Sequence, residues 1–146
     1  IDTWGVDFGL LNKRGDLLQN PVNYRDKRTA GMVDEVCRII PGDELYAQSG
    51  LQFMELNTLF QLYALSKKQP ELLDQSETLL LMPDLFGYFL TGNKAAEFSI
   101  ASTTQMLDQK TKDWNYRLLE RLGIQTSPLP GIGKSGTLLG QVKGDL

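Results

Sequence analysis

The chain has 146 residues, 41% hydrophobic and 23% charged, with 15 Lys and Arg against 18 Asp and Glu for a formal net charge of −3. That length can bury one substantial core, and the acidic balance excludes the basic field that nucleic-acid phosphates require. With no histidine and a single cysteine, Cys37, the sequence also excludes imidazole-based triads, His-ligated zinc and an internal disulfide.

No apolar run approaches the roughly 18 residues that a membrane helix needs, so no membrane partner is expected. A lone cysteine suits a reducing cytosol, and a cytoplasmic location is the expectation. The sequence opens inside a structural element with no initiator Met, and we expect it to be a fragment comprising one domain over residues 1–146.

In chain order, Val6, Phe8 and Leu10 alternate with Asp7, Gly9 and Leu11, the period of a strand. A turn is predicted at residues 12–16, where Gly15-Asp16 reverses the chain. Residues 21–24 then read as a short returning strand whose Pro21 sits at an edge needing no ladder donor. From Thr29, a possible N-cap, the period becomes helical through Met32, Val33, Val36, Cys37 and Ile40, and Pro41-Gly42 ends it. A second helix is predicted from Asn57-Thr58 through Leu59, Phe60, Leu62, Tyr63 and Leu65, with a short helical turn over residues 70–75. Residues 78–82 suit a strand or the approach to a buried helix. Pro83-Asp84 opens a helix that Thr91-Gly92 closes, Gly standing at the expected C-terminal position. Asp113 is expected to cap a last helix over residues 114–122, and the Pro- and Gly-rich tail from Thr126 reads as irregular connection.

Three segments carry candidate chemistry. In Thr3-Trp4-Gly5, a residue without a side chain lets a ligand approach the backbone while Trp offers a flat wall that suits a sugar's apolar face; equally, Gly could serve a bulge and Trp the core. Arg25, Asp26 and Arg28 follow a strand end, where loop residues commonly reach ligands, and a buried ion-pair network would explain them as well. Phe53 and Asn57 are candidates for stacking and hydrogen bonding, set against a core aromatic and a helix cap. Gly133-Lys134-Ser135 imitates the end of a phosphate-binding loop, but Pro128 occupies the position of the required Gly and no helix pattern follows. The small residues Ser99, Ala101, Ser102, Thr103 and Thr104 read as close packing, since no triad accompanies them.

The block Ile1-Asp2-Thr3-Trp4-Gly5-Val6-Asp7-Phe8 resembles the N-terminal domain of the FGGY carbohydrate kinases, most specifically those members that act on L-rhamnulose. The order and spacing of Tyr24-Arg25-Asp26-Lys27-Arg28-Thr29, Leu81-Met82-Pro83-Asp84, residues 101–108 with Asp113-Trp114, and residues 135–140 extend the resemblance over the chain. It implies an α/β fold, part of a ribonuclease-H-like, actin-type ATPase domain in which a strand hairpin precedes mainly helical structure. This would be the later part of the N-terminal half. The full-length enzyme would use ATP and magnesium to phosphorylate the 1-hydroxyl of L-rhamnulose.

By the same resemblance, an Asp-containing phosphate-binding hairpin would precede Ile1 and the catalytic base would follow Leu146. No catalytic or metal residue is therefore expected here, no cofactor for the fragment, and no activity without the remaining kinase segments. Gly5 matches the glycine that lines the ketose site, and Thr3, Trp4, Arg25, Asp26, Phe53 and Asn57 complete the expected substrate-binding set. Another ketose, fuculose or xylulose, is the alternative within the family, although Trp4 beside Gly5 favours rhamnulose. A non-catalytic sugar-binding module is the alternative outside it.

Overall fold

The computed structural model describes residues 1–144. Strand β1 (Phe8–Leu11) occupies the expected position, and every residue in it is buried. Its ladder partner lies far along the chain: β2 (Thr78–Leu81) runs antiparallel to it, with Phe8 opposite Leu81 and Leu11 opposite Thr78. Because side chains alternate across a strand pair, two apolar layers result. Phe8, Leu10, Leu79 and Leu81 join the main core, whereas Leu11 and Leu80 pack with Met82 and Leu85 on the other face. Gly9 lies on that second face. A Cβ there would stand 2.8 Å from Leu85 Cδ2 and 3.0 Å from Leu17 Cδ2, so glycine is what lets the layer close.

The hairpin after β1 is present, but its returning arm is shorter and earlier than predicted. Asn12 Oδ1 accepts the backbone N–H groups of Arg14 (2.8 Å) and Asp16 (3.0 Å), Gly15 takes φ 86°, and the chain bridges back at Leu11 and Leu17. Residues 21–24 form no strand. Pro21 has no N–H to donate, and the N–H of Tyr24 goes to the Asp7 carboxylate instead of a ladder. A 3-10 turn (Lys27–Thr29) follows, capped by Asp26, so Thr29 lies inside that turn and is not the cap of the next helix.

Helix α1 (Met32–Ile39) starts after Gly31 at φ 79°. The Pro41-Gly42 pair ends α1 and also opens α2 (Gly42–Ser49), a helix the apolar pattern does not predict because only Leu45 and Ser49 are buried in it. Asp43 and Glu44 in its first turn suit the positive end of the helix dipole. Helix α3 (Thr58–Lys68) is buried from Thr58 to Leu65, the mark of a central helix. The short α4 (Pro70–Asp74) leads into β2. Helix α5 (Met82–Thr91) carries Pro83 in its first turn and ends at Gly92, φ 82°, as predicted.

Beyond α5 come β3 (Ala96–Glu97), α6 (Phe98–Ala101) and an antiparallel pair, β4 (Leu107–Asp108) with β5 (Asp113–Trp114). Asp113 and Trp114 thus belong to a strand. The cap of α7 (Tyr116–Arg121) is Asn115, whose side-chain oxygen accepts the Leu118 N–H at 3.1 Å. The largely irregular tail is tied back to the body at several points. Leu79 N–H meets Pro128 O at 2.8 Å, Trp114 Nε1–H meets Pro130 O at 2.7 Å, and β6 (Ile132–Gly133) lies parallel to β3. Among the described residues no helix is long and apolar enough to cross a membrane.

Candidate functional site

The segment entering β1 is held in a strained turn. Val6 has φ 70°, and the Asp7 N–H bonds to Gly5 O at 2.9 Å, closing a three-residue turn around it. For a β-branched residue that backbone region costs about 1–3 kcal/mol, and it persists only where the surroundings enforce it. Here they do. Val6 O accepts from Thr58 Oγ1 at 2.7 Å and from Gln61 Nε2 at 3.3 Å, both reaching up from α3. The buried Asp7 carboxylate takes Trp4 Nε1–H (2.7 Å) and Tyr24 N–H (3.2 Å) on Oδ2, and Gln61 Nε2–H (3.1 Å) on Oδ1. Gln61 Oε1 in turn accepts from Arg28 Nη2 at 2.6 Å.

The structure bears on the core-and-bulge reading of Thr3-Trp4-Gly5. Trp4 is 49% exposed, so it is no core residue; its indole is pinned at the nitrogen and its ring stands open. Gly5 is absent from the glycines with positive φ, and a Cβ on it would meet Thr103 Oγ1 at 3.5 Å, Thr103 Cβ at 3.9 Å and Ile100 Cδ1 at 4.0 Å. These are ordinary contacts. Neither the backbone nor the neighbours require glycine at position 5, which removes the bulge explanation.

The remaining expected residues divide. Arg25 is exposed, bonded by Nε to the Tyr24 hydroxyl at 3.3 Å and stacked over that ring, while Asp26 caps the 3-10 turn through the Arg28 N–H at 2.8 Å. The ion pairs among the described residues are Arg14–Asp16 and Arg121–Glu44, so the buried ion-pair network that is the alternative reading of Arg25, Asp26 and Arg28 does not form. Arg28 is the member that turns inward: burial pulls its proton affinity below the usual guanidinium value, against the opposing pull of Asp26 and Asp7. Phe53 is half-buried against the core and over Gly42. Asn57 is buried at the start of α3, but its side chain does not cap the helix; Nδ2 donates to Gln52 O (3.0 Å) and Gln105 Oε1 (2.8 Å). Phe53 and Asn57 thus lie in the framework, and the sequence pattern missed Asp7 and Gln61.

A cleft of about 690 Å³ opens beside this segment, lined by Thr3, Asp84, Glu97, Ser99, Ile100 and the stretch from Gly133 to Leu139. Asp84 is 8% exposed; Oδ1 accepts the Glu97 N–H at 3.1 Å and Oδ2 has no partner. Burial drives its pKa up from 3.8 to about 7, the Glu97 N–H opposing and the Glu97 charge adding to the rise. Glu97 behaves oppositely. Burial alone would raise it, but hydrogen bonds from Ser135, Ser99 and Ile100 outweigh that and hold it at about 2. Two carboxyls on adjoining elements are thus pushed in opposite directions, Glu97 ionised at neutral pH and Asp84 close to its titration midpoint.

Gly133 lies in β6 and no helix follows Lys134, so that segment is not a Walker-type loop; among the described residues no cluster of three His, Cys, Asp or Glu side chains is placed to hold an ion. Residues 1–146 match the N-terminal domain of the FGGY family of carbohydrate kinases over their whole length. The chain is 39% identical over 145 residues to a rhamnulokinase of Halalkalibacterium halodurans, covering 99% of this chain and 31% of that relative. It is 38% identical over 146 residues to a rhamnulokinase of Oceanobacillus iheyensis, again spanning 31% of its length. Among solved structures, a gluconate kinase from Lactobacillus acidophilus superposes with a TM-score of 0.85 at 21% identity, over 96% of this chain and 29% of that one. That likeness shows the fold: a mixed α/β portion of the actin-like kinase architecture, with a short hairpin followed by helices.

Proposed function

The chain belongs to the FGGY family of carbohydrate kinases, and from that premise we propose that it forms the ketose-facing part of an enzyme that transfers the terminal phosphoryl group of ATP to the 1-hydroxyl of L-rhamnulose. It comprises the later part of that enzyme's N-terminal domain, working in the cytoplasm with ATP. The observation that carries the reading is Gly5: its backbone tolerates a side chain and its surroundings have room for one, so the missing Cβ is explained by what approaches from outside. Trp4, with its indole nitrogen held by Asp7, supplies the flat wall beside it. The names of the relatives, both rhamnulokinases, support L-rhamnulose over other ketoses.

Within this reading the chain binds and orients, and other segments of the full-length protein hold ATP and magnesium and contribute the base. The bound metal and nucleotide supply charge neutralisation at the transferred phosphoryl group. The residues here place the sugar and exclude water from its apolar face. Arg25 and Asp26, both exposed, are the further candidates to meet the sugar, while Phe53 and Asn57 are packed into the framework. The test is a coupled assay of the full-length protein with L-rhamnulose, L-fuculose and D-xylulose at equal ATP. The expected outcome is the highest kcat/KM with L-rhamnulose. A preference for either other ketose refutes the substrate assignment, and no turnover with any sugar refutes the kinase reading.

A further inference from the structure

Gln61 is an amide buried in the central helix among Leu59, Phe60, Leu62 and Tyr63. Packing alone would favour a leucine there, so its polar group needs an explanation. The orientation of the amide is dictated by its partners: the Arg28 guanidinium can only donate, which turns Oε1 toward Arg28 and leaves Nε2 to face acceptors. Those acceptors are Leu56 O at 2.8 Å, Asp7 Oδ1 at 3.1 Å and Val6 O at 3.3 Å. One side chain therefore grips both ends of the strained peptide segment, the carbonyl of Val6 and the carboxylate of Asp7. That carboxylate is the same group that fixes the Trp4 indole.

We propose that Gln61, oriented by Arg28, is a positioning residue that holds the Val6 turn and so sets where Trp4 and Gly5 stand against the sugar. The inference rests on the reading of Trp4 and Gly5 as the ketose wall. A neutral amide suits the task because it links a cation on one side to a carboxylate on the other without bringing the two into contact. A glutamate at the same place would direct an oxygen at Asp7 and two carbonyls. Thr58 is the independent second support, bonding Val6 O from the preceding turn of α3.

The experiment uses the full-length protein and the variants Gln61→Met, which keeps the length and removes the hydrogen bonds, and Arg28→Met, which lies at the half-buried end and spares the core. Steady-state kinetics for both substrates are paired with NMR of the Trp4 indole N–H, assigned by its loss in Trp4→Phe. With the wall displaced, KM for the ketose should rise about tenfold in Gln61→Met and less in Arg28→Met, KM for ATP should stay within about twofold, and the Trp4 indole signal should move. A folded Gln61→Met with unchanged ketose KM overturns the proposal, as does an equal loss for both substrates or an unmoved indole signal. If Gln61→Met does not fold, an Arg28→Met protein with wild-type ketose KM and indole signal overturns it. Gly5→Ala, measured alongside, separates the two levels: wild-type kinetics in that variant defeats the ketose-wall reading itself, whereas impaired kinetics there with wild-type behaviour in both the Gln61 and Arg28 variants defeats the positioning role alone.

Discussion

Substituting alanine for Gly5 in the full-length protein separates a glycine needed by the fold from one needed by a ligand. The new Cβ would lie 3.5–4.0 Å from Thr103 and Ile100, within normal van der Waals distance, on a backbone outside the left-handed region. Stability should therefore change little, and removing glycine's freedom from the unfolded chain should add about 0.4–1 kcal/mol. If a ketose packs against that face, one extra methyl group in a filled site should cost about 1–3 kcal/mol. At about 1.4 kcal/mol per decade this is roughly a 5- to 150-fold fall in kcat/KM for the ketose. Gly5→Val adds two more methyl groups and should lie at the upper end. KM for ATP should not move in either. The assay is steady-state kinetics beside a thermal melt. A well-folded Gly5→Val with wild-type ketose kinetics refutes the reasoning, and a collapse of the melting temperature in Gly5→Ala would show that the structural account of Gly5 is wrong.

Asp84→Asn should stabilise the protein in a pH-dependent way. Folded Asp84 keeps its proton up to about pH 7 whereas its ordinary value is 3.8, so between those limits the folded state binds the extra proton and wild-type stability falls as pH rises. The stability gain of the variant should be near zero at about pH 3, below the ordinary carboxyl value, and greatest above pH 7, on the order of 2–4 kcal/mol; a gain independent of pH would refute the buried-carboxyl account. The isolated 146-residue chain should neither phosphorylate L-rhamnulose nor bind ATP with magnesium, since in the proposed reading the nucleotide-binding segments and the base belong to other parts of the full-length protein. Calorimetric titration checks this, and micromolar binding would place the nucleotide site within these residues.

Much of the local architecture was legible in the residue order because its causes are local. The alternation at Val6, Phe8 and Leu10, the helical spacing from Leu59 to Leu65, Pro83 in the first turn of α5 and the left-handed Gly92 behind it depend on side chains a few positions apart. Where two neighbouring residues could do the same job, local reasoning chose wrongly. Asp113 and Asn115 are both competent caps, and the pairing of β5 with β4 is what leaves the role to Asn115. Thr29, the predicted cap of the next helix, instead lies inside the 3-10 turn that Asp26 caps, and α1 starts after Gly31. In α2 the apolar pattern was too thin to signal a helix, since a helix with only two buried positions is held by what it lies upon.

The candidate site shows the same division. Trp4 beside Gly5 is visible in the sequence as a candidate wall beside a gap, because that pattern needs only two adjacent residue types. Its anchoring is not visible there, for Asp7 meets Gln61 across 54 positions and Gln61 meets Arg28 across 33. Asp84 reads in the sequence as an ordinary first-turn acid. Its unpartnered oxygen and raised pKa arise because it is buried beside β3, and desolvation depends on everything that surrounds a group in space. Residue type and spacing specify which groups can hydrogen-bond or pack; which of them are deprived of water, and which distant partner each one finds, is settled when β1 pairs with β2 and α3 is buried beneath the Val6 turn.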